Sequence, residues 1–352
     1  MSGGLLTPDA APEPVDFLLD RRGTTQALDA WVIGLAFARD GATVAYALGD
    51  GTLRLADPAA PDAPWRTVAA HDGACLALAA DGRSGFLSGG DDGTLALTAP
   101  DGTTAPLASF GAKWVDHVAT HESGLRAAAV GKALHLFDGK GAKLKQLSHP
   151  SSVGGLAFDA KGKRVAASHY NGASLWFVGA KEDKPRVLEW KGSHAAIAFS
   201  PDGTHVVTAM QENALHGWRL ADGQHMRMSG YPAKTRSLAF TAKGRWLATS
   251  GAESIVLWPF FGGGPMGKAP TELAGGDNVF CTAVACHPQH EVVAAGFGDG
   301  LVLITEVSSG KVVPVAAPGR GAVSALAWNA AGSHLAFGTE TGFAALIDLG
   351  KR

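Results

Sequence analysis

Cysteine and histidine side chains cluster in one short stretch of the chain. Cys281, Cys286, His287 and His290 lie close together, and sulfur and imidazole are ligands that zinc prefers. The spacing is neither the C-x-x-C nor the H-x-x-x-H pair that holds a tetrahedral site on one element. On a strand, Cys281 and Cys286 would also face opposite sides, because their positions differ by an odd number. We therefore expect no metal and no cofactor, and keep Cys286, His287 and His290 as an alternative, weak metal site.

A glycine-rich segment matches part of a phosphate-binding loop. Gly262–Lys268 reads GGGPMGK, which satisfies the pattern G-x-x-x-x-G-K. Ala269 stands where the loop needs a hydroxyl for magnesium, and Pro270 follows where a helix should begin. We interpret the segment as a surface loop.

Other catalytic patterns are incomplete. His121-Glu122 begins the zinc-protease pattern, but Leu125 stands where the second histidine is required. No G-x-S-x-G nucleophile elbow occurs. The sequence therefore offers no catalytic residues, and we predict that the protein is not an enzyme.

Composition excludes several classes of partner. The chain has 352 residues, 46% of them hydrophobic, and 30 Lys plus Arg against 32 Asp plus Glu leave a net charge of −2. Such a balance gives no general attraction for nucleic acid or an anionic membrane. Three cysteines are too few for a disulfide framework, and neither a secretory signal nor a long apolar run occurs. We expect a cytoplasmic protein with no nucleic-acid partner and no membrane insertion.

The elements that would position functional residues follow a repeat. Glycines that separate two β-rich runs recur at intervals of roughly 40 residues or a multiple of that, which is the length of a propeller blade. They are Gly41, Gly82, Gly124, Gly162, Gly203, Gly244 and Gly332. In 198–207, AFSPDGTHVV, the Asp-Gly pair supplies the left-handed backbone of a hairpin turn. A further unit, around Cys286–His290, has a turn without this glycine.

Aligning the units predicts an all-β fold. Each unit has an opening strand, a turn, two further strands and a more variable fourth strand. The opening strands lie near Val32–Phe37, Cys75–Leu78, Val115–Ala119, Val153–Phe158, Ala195–Phe199, Thr235–Phe240, Cys281–Ala285 and Val323–Trp328. No segment has the periodicity of an amphipathic helix. We predict a single closed β-propeller of eight four-stranded blades, with seven blades as the alternative.

The last unit lacks its own fourth strand, because the chain ends shortly after Phe343–Leu349. Thr24–Leu28 occupies a fourth-strand position ahead of the first unit. We predict that this N-terminal strand completes the last blade and closes the ring, which removes unpaired sheet edges. The predicted organisation is an N-terminal extension, residues 1–23, and one propeller domain, residues 24–352.

The ends of the third strands carry a recognisable pattern. Trp176, Trp218 and Trp258 end such strands, and Asp57, Asp138 and Asp348 follow the same position in other units. Asp-Gly turns precede the third strands at Gly49–Gly51, Asp91–Gly93 and Gly298–Gly300. The chain thus resembles the WD-repeat β-propeller family, in a degenerate, bacterial type. The eight-bladed pyrroloquinoline quinone dehydrogenases are the other architecture considered, but their tryptophan-docking motif was not found.

The resemblance implies structural roles for several conspicuous side chains. In that family a Trp, a Ser or Thr, a His and an Asp form a hydrogen-bonded network within a blade. The matching residues are His149, Ser168, Trp176, His194, Thr208, Trp218 and Trp258, with His71 and Ser88 in the second unit. We expect these residues to be structural.

The resemblance also implies a function. WD-repeat propellers mostly act as platforms for proteins, so we expect a monomeric, non-enzymatic scaffold or adaptor that binds a protein or peptide on its top face. The predicted contact residues are Trp31, Tyr170, Tyr231, Arg236 and Phe297, with Trp114, Phe280 and Arg320 on the same rim. The alternative is a propeller that binds a small molecule or zinc, enzymatic or not. It would use the central channel or the region of Cys281, Cys286, His287 and His290.

Overall fold

The computed structural model describes residues 15–350, and nearly all of their regular structure is β-strand. One five-residue helix in this range, α1 (Leu18–Arg22), leads into strand β1 (Gly23–Ala27). The expectation of almost no helix therefore holds over these residues. No helix among them is long and apolar enough to cross a bilayer.

Three antiparallel sheets of four consecutive strands follow β1. The first sheet contains β2 (Val32–Phe37), β3 (Val44–Leu48), β4 (Thr52–Ala56) and β5 (Arg66–Ala69). The second contains β6 (Cys75–Asp81), β7 (Gly85–Gly90), β8 (Thr94–Thr98) and β9 (Thr104–Ser109). The third contains β10 (His117–Thr120), β11 (Arg126–Val130), β12 (Ala133–Phe137) and β13 (Lys143–Ser148).

The next sheet has six strands and departs from the predicted regularity. Its strands are β14 (Gly155–Phe158), β15 (Arg164–Phe177), β16 (Arg186–Phe199), β17 (His205–Met210), β18 (Ala214–Arg219) and β19 (His225–Ser229). Strand β16 pairs with β15 through its first half and with β17 through its second half, from His194 to Phe199. Counted by hydrogen-bonded sheets, residues 15–350 form seven blades and not the eight predicted.

Strand β15 is long because it contains a turn. Asn171 and Gly172 have φ values of +66° and +137°, in the left-handed region that tight turns use. The backbone N–H of Val178, just after the strand, donates to the carbonyl of Lys163, just before it, at 2.9 Å. The two ends of β15 are therefore hydrogen-bonded to each other.

The remaining sheets again have four strands each. One contains β20 (Leu238–Phe240), β21 (Trp246–Thr249), β22 (Ser254–Pro259) and β23 (Thr271–Gly275). The next contains β24 (Cys281–Cys286), β25 (Val292–Phe297), β26 (Val302–Glu306) and β27 (Val312–Ala316). The last contains β28 (Val323–Trp328), β29 (His334–Thr339) and β30 (Phe343–Asp348), with β1 at its edge.

The N-terminal strand completes the last sheet. β1 pairs antiparallel with β30, in a register that places Thr24 opposite Leu346 and Gln26 opposite Ala344. The strand begins and ends one residue earlier than the predicted Thr24–Leu28. The four strands of the last sheet therefore come from both ends of the described chain.

The apolar core lies between neighbouring sheets. Val32, Tyr46 and Leu346 belong to one buried cluster, so the first and last sheets pack together. The buried Tyr46 hydroxyl donates to the carbonyl of Ala345 at 2.8 Å. The Ser324 hydroxyl donates to the carbonyl of Val32 at 2.6 Å, just as Thr282 donates to Val323 at 2.6 Å one sheet earlier.

The repeated glycines form turns on one face, which we call the bottom face, and several of these turns lie against the preceding unit. Arg39 donates to the carbonyl of Gly82 at 2.7 Å, and Arg164 donates to that of Gly203 at 2.8 Å. At Gly332 a Cβ atom would lie 2.0 Å from Nε2 of His287. Glycine is thus required there both for its φ of +71° and for the room it leaves.

Candidate functional site at the top face and channel mouth

The top face carries the loops that lead into the innermost strands and the turns between second and third strands. Of the five predicted contact residues, Trp31 and Tyr170 are exposed, at 47% and 58%. Arg236 is also exposed, and its Nη1 lies 3.5 Å from Oε1 of Glu340. Trp31, Arg236 and Glu340 line one cavity of about 360 Å³, whereas Tyr170 lies in a separate groove of about 550 Å³. The structure therefore brings Trp31 and Arg236 together and places Tyr170 elsewhere.

Tyr231 is buried, contrary to its predicted role as a contact residue. Its hydroxyl accepts the indole N–H of Trp258 at 2.6 Å and lies 2.6 Å from the hydroxyl of Thr249. Burial raises the pKa of Tyr231 to about 12, so the phenol stays neutral and can donate. Tyr231 accepts the tryptophan N–H in this unit, as His149 does in the fourth unit. The neighbouring Gly230 and Pro232 indicate a loop and give no sign of this role.

Phe297 is also buried, so its predicted exposure is wrong. It is the last residue of β25 and pairs with Cys281 on β24. Its ring packs in the core between two sheets with Leu257 and Val293. The sequence places Phe297 directly before a turn. It does not show whether the Phe297 side chain points to the core or to solvent.

Three exposed aromatic residues share one position in the repeat. Trp31, Trp114 and Phe280 are 47%, 60% and 41% exposed. Each directly precedes a buried residue: Val32 and Cys281 begin β2 and β24, and Val115 lies two residues before β10. Three top-face loops thus present an aromatic ring outward. Arg320 instead lies over the ring of Phe343, with its Cζ 5.2 Å from the centroid.

The expected network in the fourth unit is present only in part. The indole N–H of Trp176 donates to Nε2 of His149 at 3.4 Å. Ser168 does not join this pair, because its hydroxyl donates to the carbonyl of Ala195. Burial lowers the pKa of His149 to about 4, which keeps its imidazole neutral.

The fifth unit has a related arrangement. His194 Nδ1 lies 2.7 Å from the hydroxyl of Thr208, and its Nε2 lies 3.0 Å from the carbonyl of Trp190. Trp218 donates to the carbonyl of Glu189 at 3.4 Å, so it contacts His194 only through its ring. These side chains are buried and join neighbouring strands, which is a structural role.

The cysteine and histidine cluster lacks the features of a metal centre. The thiols of Cys281 and Cys286 donate to the carbonyls of Ala283 and Ala239, with sulfur–oxygen distances of 3.5 and 3.4 Å. His287 Nδ1 accepts the backbone N–H groups of Gln289 and His290, both at 3.1 Å. Across residues 15–350, no group of three or more His, Cys, Asp or Glu could hold a metal ion. The His287 side chain therefore stabilises this turn, which lacks the glycine found in the other units, through hydrogen bonds to its backbone.

The innermost strands surround a channel that opens at the top face. One cavity of about 500 Å³ is lined by residues that include Asp116, His117, Lys234 and Arg236. It shares Ile33, Gly34 and Arg236 with the 360 Å³ cavity at Trp31. The sequence predicts Arg236 on this rim but gives no signal for Asp116 and His117, although both lie in a predicted opening strand.

Comparison with known proteins identifies relatives over parts of the chain. Mouse telomerase protein component 1 is 27% identical over 213 residues, which is 58% of this chain and 8% of that protein. Arabidopsis thaliana THO complex subunit 3 is 21% identical over 203 residues, which is 57% of this chain and 63% of that protein. This chain therefore spans less than two thirds of either relative. No family model matches.

A solved structure is similar over nearly the whole chain. The crystal structure of the computationally designed Ika8 protein has a TM-score of 0.75 and covers 92% of this chain and 98% of its own, at 19% identity. At that identity the likeness concerns the fold alone. The relatives above come from mouse and a plant, so the bacterial type stays a prediction.

Proposed function

Since its relatives are WD-repeat proteins and its fold is a β-propeller, we propose that this chain is a non-enzymatic scaffold that binds a polypeptide on its top face. The three aromatic residues at one repeat position, Trp31, Trp114 and Phe280, carry the proposal. Exposed aromatic rings of this size are costly in water and are the side chains that most often anchor protein interfaces. Arg236 lies beside Trp31, and Tyr170 adds an exposed ring in a separate groove of the top face.

A comparison of two matched variants tests the proposal. Trp31→Ser with Trp114→Ser removes two top-face rings. Phe177→Ser removes a ring that is 58% exposed at the end of β15, next to the bottom-face turn at Gly162. Proteins from the native host that bind the wild type should be captured by Phe177→Ser and lost with the double variant. Binding of one purified partner should then weaken at least tenfold in the double variant. Equal capture by both variants would contradict a top-face site.

We also propose that the six-stranded sheet comprises two blades, which gives eight repeat units in a closed ring. The bond between Val178 and Lys163 supports this count, because Val307 with Glu291 and Leu349 with Ser333 join second and third strands in the same way. An experimental structure in which β15 is straight would contradict it.

The scaffold proposal includes finer expectations. Residues 24–352 should behave as one domain, and the protein should be a cytoplasmic monomer. Light scattering after gel filtration should give a mass near the 36.0 kDa of the chain. A stable dimer would refute the monomer.

A further inference from the structure

The channel mouth is lined by one residue from each repeat unit, at equivalent positions. In four innermost strands the pairing register shifts directly after the buried first residue, which is Val32, Cys75, Cys281 or Val323. Such a bulge re-aims the side chain at that point. The residues at this position, all in contact with one of the two channel cavities, are Ile33, Leu76, Asp116, Gly154, Ala195, Arg236, Thr282 and Ser324.

Only Asp116 and Arg236 in this set are charged. Thr282 and Ser324 have structural uses, because their hydroxyls donate to the next unit. Between Asp116 and Arg236 the wall presents Gly154 and Ala195, the smallest residues of the set. The wall therefore forms a bay, which we call the channel bay, with a carboxylate at one side and a guanidinium at the other.

One side-chain oxygen of Asp116, Oδ1, is buried and has no hydrogen-bond partner among the described residues. The neighbouring His117 also lines the cavity, and burial lowers its pKa, so it supplies little positive charge. A buried acceptor without a donor destabilises the folded state, so a ligand that supplies a donor is favoured there. The buried hydroxyl of Thr235, in the same cavity wall, also lacks a partner among residues 15–350.

Arg236 has most of its donors available. Its one ion-pair contact within the described range, with Glu340 at 3.5 Å, is exposed, and exposed pairs of this kind are weak. A guanidinium has five N–H donors and suits a carboxylate, which it can bind through two parallel bonds. Lys234 lines the same cavity and adds a second positive charge.

We propose that the channel bay binds a small zwitterion of the amino-acid class, with its ammonium group at Asp116 and its carboxylate at Arg236 and Lys234. A ligand with only a positive charge would leave the Arg236 guanidinium without a counter-ion. A ligand with only a negative charge would be repelled by the Asp116 carboxylate. The 500 Å³ cavity has room for a free amino acid. The two proposals share Arg236, but Asp116 belongs to the channel bay alone, and Trp31, Trp114 and Phe280 belong to the top-face site alone. The two proposals can therefore fail separately.

Binding of free amino acids tests the channel bay. Each of the twenty L-amino acids is titrated into the full-length protein by calorimetry and thermal shift, with methylammonium chloride and sodium acetate as half-ligands. At least one amino acid should bind and raise the melting temperature, and neither half-ligand should match it. Asp116→Asn and Arg236→Gln should each weaken binding at least tenfold. No binding by any of the twenty would overturn the proposal.

Gly34 allows the bay to be blocked without disturbing the core. It lines both channel cavities, an added Cβ atom would meet nothing within 4 Å, and its φ lies outside the left-handed region. Gly34→Leu should abolish amino-acid binding and keep the wild-type melting temperature without ligand. Gly179→Leu, at a site on the bottom face with the same open space, should bind normally. Binding that survives Gly34→Leu would place the ligand outside the channel and refute the proposal.

Capture of the polypeptide partner separates the two proposals. Asp116→Asn should retain a partner that Trp31→Ser with Trp114→Ser loses. If the top-face proposal fails while amino-acid binding is lost in Asp116→Asn, the channel bay stands alone.

Discussion

The hydroxyl of Tyr231 lies between the indole N–H of Trp258 and the hydroxyl of Thr249. All three side chains are buried, so none can replace a lost partner with bulk water. Thr249 has a second contact, to the carbonyl of Val256 at 3.1 Å, whereas the Trp258 N–H has Tyr231 as its one partner among residues 15–350. One phenol oxygen thus satisfies the buried indole N–H of Trp258.

Removing that oxygen should be costly. We expect Tyr231→Phe to lower the free energy of unfolding by about 1–3 kcal/mol, because the Trp258 N–H stays buried without an acceptor. Denaturant unfolding measures the change. Tyr170→Phe removes the same atom from an exposed side chain and should melt like the wild type. Equal stability of the two variants would show that the Tyr231 bond contributes nothing.

Buried histidines should make stability depend on pH. Burial lowers the pKa of His135 and His149 to about 4 and of His216 to about 3. In the unfolded chain an imidazole titrates near 6.5, so between about pH 6.5 and 4 the unfolded state binds protons that the folded state does not. Stability should therefore be full above about pH 6.5 and fall as the pH decreases. The denaturant midpoint should be lower at pH 5 than at pH 7.5.

His216→Phe should reduce this pH dependence. Both ring nitrogens of His216 are buried without a partner among residues 15–350, and its ring stacks on Trp190 with centroids 4.0 Å apart. Phenylalanine can keep the stacking and cannot take up a proton. The stability lost between pH 7.5 and pH 5 should be smaller in the variant, and an equal loss would contradict a role for His216.

For single residues, the sequence predicts which side chains form structural pairs better than it predicts which side chains are exposed. The resemblance to WD-repeat propellers implies the pair of Trp176 and His149. A buried indole N–H and a buried imidazole each require a hydrogen-bond partner. The burial of Tyr231 and Phe297 could not be predicted. The side chain of a residue in a loop or at the end of a strand can point either to the core or to solvent. The sequence does not indicate Asp116, because one isolated carboxylate does not show that a distant residue, Arg236, lines the same cavity.

At the scale of the elements, a buried ion pair joins neighbouring sheets. Asp81 ends β6 and Arg126 begins β11, and their side chains form two bonds of 2.7 and 2.8 Å. Both side chains are only 9% exposed, and Arg126 also donates to the carbonyl of Asp138 at 3.0 Å. The second and third sheets are thereby held at one relative position.

Asp81→Ala should destabilise the protein by about 3–5 kcal/mol, because it leaves the Arg126 guanidinium buried without its carboxylate. Chemical unfolding measures this cost. Asp222→Ala breaks the exposed pair between Arg219 and Asp222 and should leave the midpoint unchanged. A cost for Asp81→Ala no larger than for the control would show that Arg126 finds water or another acceptor.

The strands themselves were predictable, and their grouping was not. Glycine turns mark the first two strands of most units, because the required backbone conformation excludes other side chains. The seven hydrogen-bonded sheets differ from eight because β16 is continuous across Gly192, where the sequence suggests a loop. Whether a connecting segment stays extended depends on the distance between two sheets, and that distance is not encoded locally.

At the scale of the whole molecule, the N-terminal strand holds the last sheet together. β1 covers the edge of β30, and the adjoining Leu19 and Leu28 are both buried. Leu19 packs with Ile347 in one cluster, and Leu28 packs with Leu346 in another. Residues before Val32 therefore contribute to two cores as well as to one row of hydrogen bonds.

Deleting residues 1–30 should lower the melting temperature by roughly 10 °C or more, because two buried leucines and an edge strand are lost. Deletion of residues 1–14 keeps α1 and β1 and serves as the control, with a melting temperature near that of the full chain. Calorimetry distinguishes the two. A long deletion that melts like the short one would refute ring closure by β1.

The pairing of β1 with β30 also sets an order of events during synthesis. Gly23–Ala27 leaves the ribosome long before its partner Phe343–Asp348, because all the other described strands lie between them in the chain. At typical translation rates the delay is on the order of tens of seconds, which is far longer than the time a small domain needs to fold. Among the described strands, β1 therefore waits longest for its partner. Until β30 has been made, the backbone N–H and C=O groups of β1 can pair with other polypeptides.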